Sequence, residues 1–246
     1  MKSKSLIRIR YKFAKAWLRV RNALTLLPIC IRNYFFVRKY PFWKLTDIWY
    51  DFNTSVKDSR KGSKRFIVKY SHTWYDDISH GWQVAFGKQL SKELLEVGSK
   101  FIGKPKEDGT PTTWPDILNF LQIKQKWGWL EMYASAIPEM EHVLEKYHFM
   151  STFYCEECGR KSKYLSDGWV QYLCKGCFDK KMRDRHRRYE PHLKIGDYVK
   201  SWEHRCSLSG KDRVPHVSRY SNDGGWVPLD IEKEYGISFK ELMSDD

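Results

Sequence analysis

The chain has 246 residues, of which 41% are hydrophobic and 16% aromatic. That content is enough to bury a core, excludes disorder throughout, and suits one to two domains. The formal net charge of +14 favours anionic partners, namely nucleic acid, an acidic protein or anionic lipid. No run reaches the roughly 18 apolar residues of a spanning helix, because Arg19, Arg21, Arg32 and Arg38 interrupt the most hydrophobic stretches, so a soluble protein is expected.

From the N-terminus to residue 46 there are twelve cations, among them Arg8, Lys12, Lys15 and Arg19, and no acid before Asp47. Within this segment Leu6, Ile9, Phe13, Trp17, Val20 and Leu24 recur at three- and four-residue steps, which predicts one apolar stripe on a helix ending near Pro28. Core packing, a nucleic-acid or protein contact, and a membrane surface are the three readings of that stripe. The segment lacks the separate basic, apolar and cleavage regions of a secretory signal. Aromatic residues from Tyr34 to Tyr50 follow, and then a polar, basic surface loop around Lys57–Arg65.

Val84, Phe86, Leu90, Leu94 and Val97 predict a helix from about Trp82 to Val97, with Gly98 as the left-handed residue beyond its last turn. Asp108-Gly109-Thr110-Pro111 marks a loop. Residues 117–133 read as a hairpin turning near Lys126-Trp127-Gly128, and Pro138 opens a helix carrying Met140, Val143, Leu144 and Tyr147.

Cysteines concentrate next. Cys155, Cys158, Cys174 and Cys177 form C-x2-C-x15-C-x2-C, the spacing at which two tight turns present four thiolates to one tetrahedral zinc ion. Lys163–Leu165 and Trp169–Leu173 flank Ser166-Asp167-Gly168 as a hairpin, and Phe178–Glu190 reads as a helix stopped by Pro191. Knuckle, hairpin, knuckle and helix is the order of a treble clef. Four thiolates leave no position for water, so the expected role of the zinc is structural. Cys30 and Cys206 stand alone, and this sparse cysteine use suits a reducing cytoplasm.

The helix after Cys177 bears Lys180, Lys181, Arg183, Arg185, Arg187 and Arg188, interrupted by Asp179, Asp184 and Glu190. Several treble-clef proteins set such a helix against nucleic acid, and these six cations, with Arg8, Lys12, Lys15 and Arg19, are the candidate phosphate contacts. His186 fits a surface residue or phosphate contact better than a metal ligand. An HNH-type nuclease would need a histidine in the hairpin to activate water, and Tyr164–Leu173 has none. Asp76-Asp77 with His72 and His80 is a weaker polar cluster. No small-molecule substrate is indicated, and a non-enzymatic protein is expected.

Beyond residue 191, Lys194–Val199 reads as a strand, Gly224-Gly225-Trp226 as a turn, and Ile231–Met243 is acidic with helical character. The predicted fold is α+β, a mixed helical and short-hairpin domain containing a treble-clef or zinc-ribbon-like module of four cysteines. Its parts are a basic amphipathic segment 1–46, a mixed α/β core 47–150, the four-cysteine zinc module with its basic helix 151–191, and an extension 192–246.

Three blocks occur in order: His80-Gly81-Trp82-Gln83-Val84-Ala85-Phe86-Gly87; Ile123–Tyr133 with Lys126-Trp127-Gly128-Trp129-Leu130-Glu131; and the cysteine module with Gly168-Trp169 and Leu173-Cys174. Over about residues 75–178 this succession resembles a group of small phage- and prophage-encoded zinc-binding proteins of uncharacterised function. The second block departs from the group's more usual Lys-Phe-Gly with a basic residue after Leu. The resemblance implies a phage origin and zinc, so the reducing compartment expected from the cysteines is the host cytoplasm, with a virion-associated or protein-docking phage component as the alternative. It implies no reaction.

Overall fold

The computed structural model describes residues 13, 17, 20, 24, 27–52, 66–208, 218–220, 226–228 and 231–238, with the backbone alone for 45–52, 66–71, 218–220, 226–228, 231 and 232. The chain divides into two compact units, Met1–Asp76 and Asp77–Asp246. Mixed helices and short antiparallel hairpins make it an α+β protein.

In the first unit residues 27–39 are helical (α1), as are 13, 17, 20 and 24. The helix does not stop near Pro28. Proline forfeits the hydrogen bond to the carbonyl four residues back and crowds that carbonyl, but the segment is exposed at Leu24 and Leu27, where the carbonyl can tilt outward and bond to water. Strands β1 (Leu45–Phe52) and β2 (Phe66–Thr73) pair antiparallel. Tyr40, Phe42 and Trp43 are buried, and Phe36, Tyr40 and Trp43 form ring contacts with one another or with Tyr75. Asp76 accepts from Thr73 N and Oγ1, both at 2.9 Å, from Asn33 Nδ2 at 2.7 Å and from Arg32, tying α1 to the end of β2. The predicted loop at Lys57–Arg65 and the stripe residues Leu6 and Ile9 fall outside the described residues.

The second unit opens with an α-helical turn, His80–Trp82, a π-helical turn, Gln83–Gly87, and then α2 (Lys88–Ser99). Trp82, Phe86, Leu90 and Leu94 are buried along one face. Gly98 lies inside α2 rather than beyond it, and packing explains its type: a Cβ there would stand 2.3 Å from the Trp114 ring and 2.7 Å from Met140 Cε. After α3 (Trp114–Ile117), strands β3 (Leu118–Lys126) and β4 (Trp129–Ala136) pair through the turn Trp127-Gly128. A bulge between Phe120 and Gln122 changes which residues face inward, so Leu118, Phe120 and Ile123 are all buried while Leu121 is exposed. Helix α4 (Pro138–Met150) packs on β4 and on α2, burying Met140, Val143, Leu144 and Tyr147, with Met140 beside Gly98 and Tyr147 against Phe86 and Glu93.

The cysteine region follows as β5 (Tyr164–Leu165), β6 (Tyr172–Leu173) and α5 (Lys175–Tyr189). The predicted strand at Lys194–Val199 is instead the start of a helix, α6 (Ile195–Cys206). Its inward residues Tyr198 and Trp202 stand four apart, and with Ile195 and Val199 they keep a helical spacing that a strand does not have. After α6 the chain returns along β5: Tyr164 bridges Ser207, and Leu208 N donates to Lys163 O at 3.0 Å. In a last hairpin β7 (Ser218–Tyr220) pairs with β8 (Trp226–Pro228), and α7 (Ile231–Tyr235) opens the acidic stretch; Gly224 and Gly225 of the predicted turn and residues 239–243 fall outside the described residues. Among the described residues no helix is long and apolar enough to cross a membrane.

Candidate metal centre

Two turns bring four sulfurs together. Cys155 and Cys158 lie between the bridged residues Tyr154 and Lys161, in a turn closed by Cys155 N to Arg160 O at 2.6 Å and Gly159 N to Cys155 O at 2.9 Å. Gly159 adopts φ +81, which glycine allows without a Cβ clash. On the other side, β6 ends at Leu173, Cys174 is the N-cap of α5, and Cys177 sits in its first turn. Both sulfurs of the second pair therefore lie at the positive end of a 15-residue helix, where negative charge is stabilised.

The four Sγ atoms lie within 4.8 Å of one another, and Cys158 Sγ is 3.5 Å from Cys174 Sγ. A disulfide would bring two sulfurs to about 2.05 Å. A tetrahedral thiolate site with bonds of about 2.3 Å has edges of about 3.8 Å, and the observed spread suits that arrangement. Burial pushes the Cys155 thiol up to about 11 and raises Cys177 further, helped by the neighbouring Cys155. Cys158 is also disfavoured by burial, yet the Arg160 N–H and the adjacent thiols hold it below the ordinary thiol value. A bound dication supplies the charge that lets closely packed thiols ionise together. The cluster could hold one metal ion, and four sulfurs would close its shell.

The surrounding contacts account for Gly81, Trp82 and Gly128 as packing against this centre. Gly81 N donates to Glu156 O at 2.8 Å, and a Cβ on Gly81 would lie 2.1 Å from Cys155 O and 2.5 Å from Glu156 O. Trp82 is fully buried, its Nε1 donating to Ser151 O at 3.0 Å and Tyr154 O at 3.3 Å. From the β3–β4 hairpin, Gln125 Nε2 donates to Val170 O at 2.5 Å, and a Cβ on Gly128 would stand 2.8 Å from the Tyr172 ring. Glu156 is buried between the cysteines' turn and the helix start, where its Oε1 accepts from Ser79 Oγ at 3.1 Å; burial raises its carboxyl against the lowering effect of Gln171 and Ser79. Beneath the sulfurs, Tyr164, Leu173, Phe178, Met182, Tyr198 and Trp202 form one buried cluster with Cys155 and Cys174. Each such fully buried large side chain contributes about 1.5–3 kcal/mol.

No family model, curated protein or solved structure matches this chain.

The six cations of α5 divide into two sets. Lys181 and Arg185 are half-buried and engaged: Lys181 Nζ donates to Ser166 Oγ at 3.2 Å and to Gln171, while Arg185 lies over the Trp202 ring at 4.2 Å and 3.8 Å from Asp167. Burial lowers the Lys181 ammonium against the pull of Glu156 and Glu157. Lys180, Arg183, Arg187 and Arg188 are exposed, with Asp184 among them, on the face opposite buried Phe178 and Met182. Arg8, Lys12, Lys15 and Arg19 lie outside the described residues. His186 is half-buried, its Nε2 2.5 Å from Leu193 O and its ring against Tyr198.

The weaker polar cluster divides as well. Asp76, with His72 Nδ1 at 3.8 Å, is occupied by donors inside the first unit, whereas Asp77 and His80 belong to the second. Cys206 packs at the edge of the buried cluster, where burial raises its thiol. Sequence reasoning missed Gly81, Glu156, Tyr198 and Trp202 as parts of the centre. The only local signal was the Gly-Trp pair at 81–82; its partners lie about 70 residues away.

Proposed function

We propose that Cys155, Cys158, Cys174 and Cys177 hold one structural zinc ion in a treble-clef-like module that displays the outer face of α5 to the phosphates of a nucleic acid. The carrying observation is the partition on α5. Lys181 and Arg185 hold the helix to the hairpin, while Lys180, Arg183, Arg187 and Arg188 point away from the core and carry no ion pair among the described residues. Phosphate contacts position a protein without reading bases, so little sequence preference is expected. The zinc supports this face rather than a chemical step, because a four-thiolate shell leaves no place for water or substrate. This reading suits a phage accessory protein acting on nucleic acid in the host cytoplasm.

The test is a titration of the zinc-loaded chain with DNA, RNA and anionic vesicles at two salt concentrations. Each phosphate neutralised contributes about −0.9 to the log–log salt slope on duplex DNA, so changing the four exposed cations together to Gln lowers its magnitude by up to about 3.6. Unchanged affinity and slope in that variant would remove α5 from the interface. A second reading, docking to a protein or bilayer, is favoured by the apolar residues that α1 and the helical positions before it expose, among them Phe13, Val20, Leu24 and Ile31. Binding to vesicles alone would select the bilayer, and binding to neither nucleic acid nor vesicles would select a protein.

A further inference from the structure

Two exposed tryptophans stand on adjoining hairpin tips beside the metal centre. Trp127 opens the β3–β4 turn and is 71% exposed; Trp169 follows Gly168 at the β5–β6 tip and is 69% exposed. The tips touch through their neighbours. Gly128 lies so close to the other hairpin that a Cβ would be 3.3 Å from Val170 Cγ1, and Gln125 Nε2 donates to Val170 O. Each tryptophan is thus one residue from the contact that joins the hairpins.

Trp127 also carries φ +54, the only positive φ outside glycine among the described residues. A two-residue hairpin turn of this kind favours Asn-Gly, and a bulky side chain at its first position is strained. Strain retained on a surface, where no packing rewards it, points to a task for the side chain. The same hairpin carries two cations gathered at Tyr133: Lys126 Nζ is 3.4 Å from Tyr133 Oη, and Lys124 Nζ lies 5.1 Å from the Tyr133 ring centroid and donates to Gln122 Oε1 at 2.6 Å. Asp167, at the tip beside Trp169, opposes insertion into an anionic bilayer.

Exposed π-faces on two joined tips, with ammonium groups farther along one of the hairpins, match the stacking and phosphate contacts by which unpaired bases are held. In a duplex those base faces are already occupied. We propose that Trp127 and Trp169 form a stacking platform for a single-stranded nucleic acid, with Lys124 and Lys126 on its phosphates. This rests on the nucleic-acid reading above and adds to it a preference for unpaired strands.

The experiment measures anisotropy of a labelled oligothymidylate of about twelve nucleotides, and of a duplex of the same length, on the zinc-loaded full chain. The variants are Trp127→Asn, which leaves the favoured Asn-Gly turn, Trp169→Ala, and the four-Gln change on α5. The single strand binds more tightly than the duplex. Each tryptophan change weakens it by about 5- to 150-fold, leaves the salt slope unaltered and spares the duplex. The four-Gln change instead lowers the slope for both. Single-strand affinity within about twofold of the parent in both tryptophan variants, or a tighter duplex, overturns the platform while leaving phosphate binding by α5 intact. If the chain binds neither probe at low salt, both readings fall.

Discussion

Replacing Gly81 with alanine sets two opposed effects against each other at one atom. Gly81 lies in a helical turn, where alanine is favoured over glycine by about 1 kcal/mol. The new Cβ, however, meets backbone oxygens at 2.1 Å and 2.5 Å, and neither can move aside as a side chain would. Accommodation requires lifting the helix start from the cysteine turn, which strains the packing by about 1–3 kcal/mol and loses the 2.8 Å Gly81–Glu156 hydrogen bond, another ~1 kcal/mol. The net expectation is destabilisation by about 1–3 kcal/mol, a fall in Tm of about 2–12 °C for a unit of this size. Gly196→Ala, where an added Cβ meets nothing within 4 Å, is the control and changes stability by less than about 1 kcal/mol in the favourable direction. Thermal unfolding of the zinc-loaded proteins, followed by circular dichroism, reads both. A Gly81→Ala protein as stable as the parent or more so would show that the helix start does not press on the cysteine turn.

Three further outcomes are expected. The purified chain carries one zinc per molecule by elemental analysis, and Cys155→Ser or Cys174→Ser loses metal and melts the module together; a metal-free variant with the parent's Tm would contradict the folding role. Trp202→Ala empties a buried site shared with Tyr198 and the cysteine cluster and costs about 3–5 kcal/mol, measured by urea unfolding; a loss under about 1 kcal/mol would mean that α6 does not support the centre. Thr113 Oγ1 and N–H, with Lys106, hold the Asp116 carboxyl down to about 2 from its ordinary 3.8. A depressed carboxylate stabilises above its unfolded value and loses that contribution as pH falls through its folded one. The Tm gap between parent and Asp116→Asn is therefore constant above about pH 5 and closes toward pH 2, and a gap independent of pH would refute the assignment.

The parts legible from sequence were those whose cause is local. The cysteine spacing, the turn at Trp127-Gly128, the proline opening α4 and the periodicity of α2 each depend on neighbours within a few residues. What escaped notice depends on distant partners. Gly98 has the composition of a helix terminator, yet Trp114 and Met140 dictate its size. Gly81 is chosen by a backbone carbonyl 74 positions later. Helix α6 is obscured within the six residues 194–199, too short a window to show a period, whereas Ile195, Tyr198, Val199 and Trp202 together stand at helical spacing. On α5 the charge count was visible, but the division between Lys181 and Arg185 as internal ties and the outward cations emerges only once the β5–β6 hairpin packs beside them.

The return of the chain at Ser207 and Leu208 has a consequence for how anything can approach the cysteine hairpin. A two-stranded ribbon of two-residue strands would ordinarily present unpaired amides and carbonyls along both sides, an invitation to strand addition by another polypeptide. Here Leu208 N occupies the Lys163 carbonyl on one side, and Glu156 N occupies the Tyr172 carbonyl at 3.1 Å on the other. Both margins are sealed by the protein's own backbone. Recruitment by β-augmentation is closed to this hairpin, and contact with a partner must pass through side chains at its tip or on the adjoining helix. The same closure protects the ribbon from edge-to-edge self-association, so removing residues after Cys206 should expose a sticky margin before it disturbs the sulfurs.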